Sequence, residues 1–137
     1  MQREIDILAF GAHADDVEIG MGGTIAKFAA SGKRIVICDL TQAEMSSNGT
    51  IHTRMEEAKN AGEALGIMHR INAYLPDRGL LLKEEYISRI ASIIRIYQPK
   101  LIFVPYEIDR HPDHGHCAKL VEEACFSAGV RKFIDER

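Results

Sequence analysis

A chain of 137 residues has one domain's length, and 46% hydrophobic with 27% charged residues is ordinary for a soluble fold that buries a core. A formal charge of −3 without a basic run argues against a nucleic-acid partner. No apolar run nears the ~18 residues of a membrane span, and the amino terminus enters an apolar stretch without the regions of a signal peptide, so no membrane partner and a cytoplasmic location are expected.

In chain order, residues 5–10 (IDILAF) are short, apolar and β-favourable, and read as a first strand. Residues 17–31 read as a helix in which Ile19, Ile25, Phe28 and Ala29 share a face. A second strand is predicted at 34–40. A polar loop at 46–53, holding the Asn48-Gly49 turn signal and His52, leads to a helix opening near Arg54. His69 is expected in solvent ahead of a strand at 71–75. The clearest helix spans 84–97, where Tyr86, Ile90, Ile93, Ile94 and Tyr97 recur at three-and-four spacing before Pro99. Residues 101–105 read as a buried strand, 115–128 as a helix, and 130–134 as a candidate fifth strand. This alternation predicts an α/β chain, a Rossmann-like three-layer α/β/α arrangement with a mostly parallel sheet and right-handed crossovers.

Two polar clusters fall where a predicted strand hands over to a helix. His13-Ala14-Asp15-Asp16 follows the first strand, and His111-Pro112-Asp113-His114 follows the fourth. In an open parallel sheet the crevice beyond the carboxyl ends of the strands collects ligands and active sites. His13 and Asp16 are three apart, as are His111 and His114, and that spacing at a helical start puts side chains on one face. Two imidazoles and a carboxylate form a common catalytic zinc set with a fourth position open for water. Zinc lowers the pKa of such a water from about 15.7 to roughly 7, and the leftover carboxylate, Asp15, is then available to take its proton.

Each motif has a plainer explanation when taken alone. An aspartate pair at a helix start is commonly an N-cap, and an isolated HxxH is usually a surface coincidence. Capping does not require two histidine clusters at the ends of two parallel strands, so the pair together points to a metal site. Gly20-Met21-Gly22-Gly23 invites a nucleotide-binding reading, but a Rossmann fingerprint places glycines in the first turn, which here holds His13, Asp15 and Asp16. Those glycines are expected to allow close helix packing or to leave room for a sugar. A receiver-like phosphorylation module leaves the HPDH motif unexplained.

Cys38, Cys117 and Cys125 form no CxxC motif and leave one unpaired. Cys38 and Cys125 read as buried structural thiols, whereas Cys117, three residues past His114, is close enough to merit inspection as a ligand. His116 points away from His114 on the same helix.

These residues resemble the LmbE-like or PIG-L-like zinc deacetylases, whose hallmarks are AHPDD near the amino terminus and HPDH further on. The segment 20–27 (GMGGTIAK), Asp39 to Thr41 with Glu44 and Asn48-Gly49, the pattern Arg54, Glu57, Ala61 and Leu65-Gly66, and PDRGL at 76–80 extend the likeness over nearly the whole chain. It is nearest to the bacillithiol-pathway branch, which deacetylates N-acetylglucosaminyl malate. The resemblance implies one zinc per chain, or another divalent metal, held by His13, Asp16 and His114. It also implies Asp15 as general base and His111 as the group that stabilises the tetrahedral intermediate or helps protonate the departing amine. Asp113 would orient an imidazole. Arg54 and Arg110 would grasp a malate carboxylate, for which a guanidinium is suited, and Asp77 would accept from sugar hydroxyls.

The implied partner is a small acetylated amino sugar, and relatives often form homo-oligomers. Ala14 replaces the usual proline of AHPDD, and Ala43 stands where many relatives place glycine; neither touches an implied ligand. Relatives usually continue well past Arg137 into a part that carries further sheet elements and a tyrosine thought to polarise the scissile carbonyl. Residues 1–137 are therefore read as a single deacetylase domain, the metal-site-bearing amino-terminal portion of the family fold.

Overall fold

Apolar runs alternate with amphipathic ones, and in the computed structural model, which describes residues 4–137, they form a four-stranded sheet flanked by four helices. The elements run β1 (Ile7–Gly11), α1 (Asp16–Ala30), β2 (Ile35–Thr41), α2 (Ile51–Leu65), β3 (His69–Leu75), α3 (Glu84–Tyr97), β4 (Leu101–Phe103) and α4 (Pro112–Ala128). All pairings are parallel, in the order β3-β2-β1-β4, with Ile7 opposite both Ile35 and Leu101. The chain winds outward from β1 to β3 and then returns to the other side of β1. The crevice between β1 and β4 is thus the point where the winding direction reverses, and both polar motifs end there.

Successive side chains on a strand point to opposite faces, and the central strands use both. Ile7, Ala9, Ile35 and Ile37 pack on one side with Val17 and Ile25 of α1. Leu8, Phe10, Val36, Cys38 and Leu40 pack on the other with Ile90 of α3 and Leu120 of α4. A sheet covered on both faces favours apolar residues throughout, which is why β1 and residues 35–38 of β2 read as continuous apolar runs, with the buried Asp39 and Thr41 as polar exceptions.

Five local expectations are corrected. Residues 101–105, expected as a buried strand, pair only over Leu101–Phe103, and this edge position leaves Leu101 56% exposed. The helix at 17–31 does not keep one face: Met21 has non-helical φ −151° and ψ 24°, and beyond this kink the phase resets, leaving Ile19 81% exposed while Val17 and Ile25 are buried. α2 begins at Ile51, ahead of Arg54, because Thr50 and Thr53 form a reciprocal capping box, so His52 lies on a helix and not in a loop. Residues 130–134 form no strand; Arg95 holds that segment by donating to the carbonyls of Val130 and Phe133. His69 opens β3 half-buried, its ring 6.3 Å from that of Tyr97.

The glycines of residues 20–23 are not explained by close packing, since a Cβ at Gly20 or Gly23 would meet nothing within 4 Å. Gly115 is different. A Cβ there would stand 2.7 Å from the Glu107 carbonyl oxygen, so the loop ahead of α4 can approach the helix only because residue 115 lacks one. Gly115→Ala is expected to lower stability by about 1–3 kcal/mol, the usual cost of overpacking, read as a shift in urea midpoint. An unchanged midpoint would show that the loop yields freely. Ala43, by contrast, adopts φ 51°, a left-handed conformation that glycine would hold with less strain.

Candidate metal centre

The turn after β1 and the start of α4 are each shaped by their own polar side chains. Asp16 Oδ2 accepts from the backbone N–H of Ala12 at 3.1 Å and of His13 at 2.9 Å, which folds the turn back on itself. Asp15 sits at the N-cap position of α1 with φ 92°, a left-handed conformation that aspartate tolerates better than most residues, and makes no side-chain cap. Across the crevice, His111 is the N-cap of α4: its Nδ1 accepts the N–H of Asp113 at 3.2 Å, and Pro112 opens the helix. A ring nitrogen that accepts carries no proton, so this geometry leaves Nε2 as the donor side of the His111 ring.

These two turns bring His13, Asp16 and His114 together. Asp16 Oδ2 lies 3.5 Å from His13 Nδ1 and 3.3 Å from His114 Nε2, and one donor atom from each residue falls within 4.8 Å of the others. Two imidazole nitrogens and a carboxylate oxygen suit zinc or another borderline divalent ion. The far nitrogen of each ring is also occupied. His13 Nε2 is 2.9 Å from Asp77 Oδ1 and 3.0 Å from Asp113 Oδ2, and His114 Nδ1 is 3.1 Å from Asp109 Oδ2. Carboxylates behind metal-binding histidines fix the tautomer and the ring orientation, so the donor set fits such a cation. His13, His111 and Asp113 form a second close group, which shares His13 with the first.

Electrostatics in this cluster are tightly opposed. Burial of His13 disfavours its charge, but the Asp16 and Asp77 carboxylates overcome this and raise its pKa to about 9. Burial likewise works against Asp16 and Asp113; hydrogen bonds from His13 to Asp16, and from the Arg78 N–H and His13 to Asp113, nevertheless hold both below the usual carboxylate range. Asp15 shifts upward through burial and the charge of Asp16, against the pull of Arg54.

Because the folded pKa of His13 is raised from 6.5, its contribution to the metal-free protein is complete below that pH and is lost as pH climbs through about 9. The melting temperature of metal-free protein is therefore expected to fall across this window. Zinc needs His13 Nδ1 deprotonated, so zinc uptake at neutral pH should also release a proton to an indicator dye. A melting temperature flat across the window would contradict the assignment.

The expected substrate contacts are placed unevenly. Arg54 lines a cavity of about 320 Å³ beside Asp15, Asp16, His111 and His114, and donates to Ser46 Oγ and the Ala14 carbonyl, both at 3.0 Å. Arg110 is exposed and does not line that cavity. Asp77 is 5% exposed, with one oxygen on His13 and the other accepting from the Met45 N–H, so its acceptors are already engaged within the protein. A larger cavity of about 640 Å³, between α2 and β3, contains none of the metal-set residues.

Two residues escaped the sequence reading. Arg78 donates from its side chain to Asp113 Oδ1 at 2.9 Å and from its backbone to Oδ2 at 3.1 Å; its place in PDRGL, next to Asp77, was the available signal. Asp109, behind His114, lies two residues before the HPDH motif. Cys117 is fully buried in the α3–α4 core, where burial pushes its thiol upward, and it joins neither metal-capable group. Cys125, expected inside, is exposed, because α4 turns Val121 and Ala124 inward and leaves Cys125 outside.

Fold and site together define an α/β protein with a histidine-carboxylate cluster at the switch point of a parallel sheet. The family model described as PIG-L, GlcNAc-PI de-N-acetylase, matches residues 8–125, and the chain belongs to that family. It is 32% identical to a diacetylchitobiose deacetylase of Thermococcus kodakarensis over 93% of this chain and 51% of the relative. Among solved structures it superposes on a conserved protein of Thermus thermophilus with a TM-score of 0.90 and 40% identity, covering 94% of this chain and 59% of that one. The diacetylchitobiose deacetylase of Pyrococcus horikoshii gives a TM-score of 0.86 at 26% identity, over 93% and 52% of the two chains. The chain thus spans about half to three fifths of these relatives. Among the described residues, no helix is long and apolar enough to cross a membrane.

Proposed function

We propose that this chain is the metal-site-bearing part of a zinc-dependent N-deacetylase acting on an N-acetylated amino sugar, with N-acetylglucosaminyl malate of bacillithiol biosynthesis as its substrate. The observation that carries the reading is the convergence of His13 Nδ1, Asp16 Oδ2 and His114 Nε2, each ring braced from behind by a carboxylate. Family membership and two relatives named as diacetylchitobiose deacetylases support an N-acetyl sugar as the substrate class.

His13, Asp16 and His114 would hold the zinc, which when bound supplies Lewis acidity and an acidified water. Asp15 then takes a proton from the attacking water. Burial and Asp16 raise its pKa, which makes it a stronger base than an exposed aspartate. Oxygen attacks the acetyl carbonyl, and the Nε2–H of His111 donates to the oxygen that gains negative charge. As the carbon–nitrogen bond breaks, the proton held by Asp15 passes to the departing nitrogen, giving acetate and a free amine. Asp113 keeps His13 in place and is itself held by Arg78. Arg54, on the cavity wall beside Ser46, would meet a malate carboxylate.

The test is acetate release by zinc-loaded protein from N-acetylglucosaminyl malate, diacetylchitobiose and N-acetylglucosamine, with bound metal quantified in parallel. Chelator-sensitive release favouring the malate conjugate is expected. Release favouring diacetylchitobiose would move the substrate to another N-acetyl sugar. Stoichiometric metal with no release from any of them would leave a metal-binding module without catalysis.

A further inference from the structure

Arg70 is absent from the metal cluster, yet its guanidinium is buried and fully engaged. Only 8% of its side chain is exposed. All five guanidinium N–H groups are used: two on Asp39 at 2.9 Å each, two on Glu18 at 2.8 and 3.1 Å, and one on the Ala58 carbonyl at 3.4 Å. A single planar fork therefore ties the end of β2, the first turn of α1 and the middle of α2 to β3. Asp39 stands beside Gly11 in the sheet register, at the last residue of β1 before the motif turn.

The need for such a tie follows from α1 itself. Asp15 and Asp16 lie at its start, and Asp15 holds a left-handed φ that persists only where the surroundings constrain it. In a continuous helix the packed body would provide that constraint. Here the non-helical Met21 separates the first turn from the segment that carries Ile25. On the upstream side the turn is held by Asp16 accepting from Ala12 and His13. Downstream, and before the kink, the turn is held by the buried Val17 and by Glu18 on Arg70. Glu18 is three residues from Asp15, on the same short turn.

We infer that Arg70, acting through Glu18, is a positioning residue for the Asp15-Asp16 turn, setting how well that turn presents its carboxylates to a metal. This rests on the metal-site reading above. Arginine is required, since a lysine ammonium cannot span two carboxylates with a planar fork.

The experiment measures zinc affinity by chelator competition, and the visible spectrum of the cobalt form, for wild type, Glu18→Ala, Arg70→Met and the double variant. Glu18→Ala keeps the fold testable, because Asp39 still balances Arg70, and alanine suits a helix. Zinc affinity is expected to fall about tenfold in each single variant, the lower end of losses seen when groups behind metal ligands are removed. The double variant should lose no more than Arg70→Met alone, since without Arg70 the Glu18 carboxylate has no tie left to lose. The cobalt spectrum should shift in all three. A purely structural pair would lower the melting temperature and leave both metal readouts unchanged, and that result in Glu18→Ala would overturn the inference. Absence of zinc binding by wild type would instead overturn the metal-site reading, and the inference with it.

Discussion

Asp15→Asn is expected to lower the rate of N-acetyl hydrolysis by about 10²- to 10⁴-fold, the usual worth of a positioned general base, while bound zinc stays stoichiometric. Two features make this substitution informative. Asparagine tolerates the left-handed backbone about as well as aspartate, so the turn at φ 92° should persist. Asp15 makes no side-chain cap and lies outside both metal-capable groups, so its loss removes charge without removing a ligand. Single-turnover acetate release alongside metal analysis separates the two effects. Undiminished turnover would remove Asp15 from the mechanism, and loss of metal would make it a ligand.

Asp16→Ala is expected to abolish metal retention and activity together. The carboxylate has three simultaneous tasks. It offers an oxygen between His13 Nδ1 and His114 Nε2, it accepts two backbone N–H groups of its own turn, and it is the chief support of the raised His13 pKa. Alanine leaves the Ala12 and His13 amides without this acceptor, a cost of about 1–3 kcal/mol for each that finds no water. It also releases the His13 imidazole toward neutrality at physiological pH, because burial then acts with less opposition. Metal analysis after gel filtration, with thermal melts of the metal-free protein at neutral pH, reads both consequences. Zinc retained at wild-type stoichiometry would exclude Asp16 from the ligand set.

Much of the fold was legible because its signals are local. Residues 84–97 repeat apolar side chains at helical spacing before Pro99, and the structure ends α3 at Tyr97. Where a non-local or conformational term intervened, local reading failed. The kink at Met21 falls among Gly20, Gly22 and Gly23, poor helix formers whose signal a single helical face over residues 17–31 overrides, and Ile19 is exposed. The short segment at 130–134 has the composition of a strand, but Arg95 takes its carbonyls and no neighbouring strand pairs with it.

The candidate site divides along the same line. The sequence by itself determined the donor types, their three-residue spacing and their position at strand ends, because these follow from residue identity and the strand-helix alternation. It also contained the αL-tolerant aspartate at residue 15, whereas nothing in Ala43 announces its left-handed φ of 51°. Only the tertiary structure decided which carboxylates stand behind the imidazoles. Asp77, expected to accept from sugar hydroxyls, lies against His13, Asp109 lies behind His114, and Arg78 closes on Asp113. Their roles depend on where the β3–α3 and β4–α4 connections end relative to β1, a matter of strand order and crossover packing. A carboxylate in the sequence carries no mark of whether it will meet water, a sugar or a buried ring. That is settled when parallel strands distant in the chain bring their carboxyl ends to one crevice.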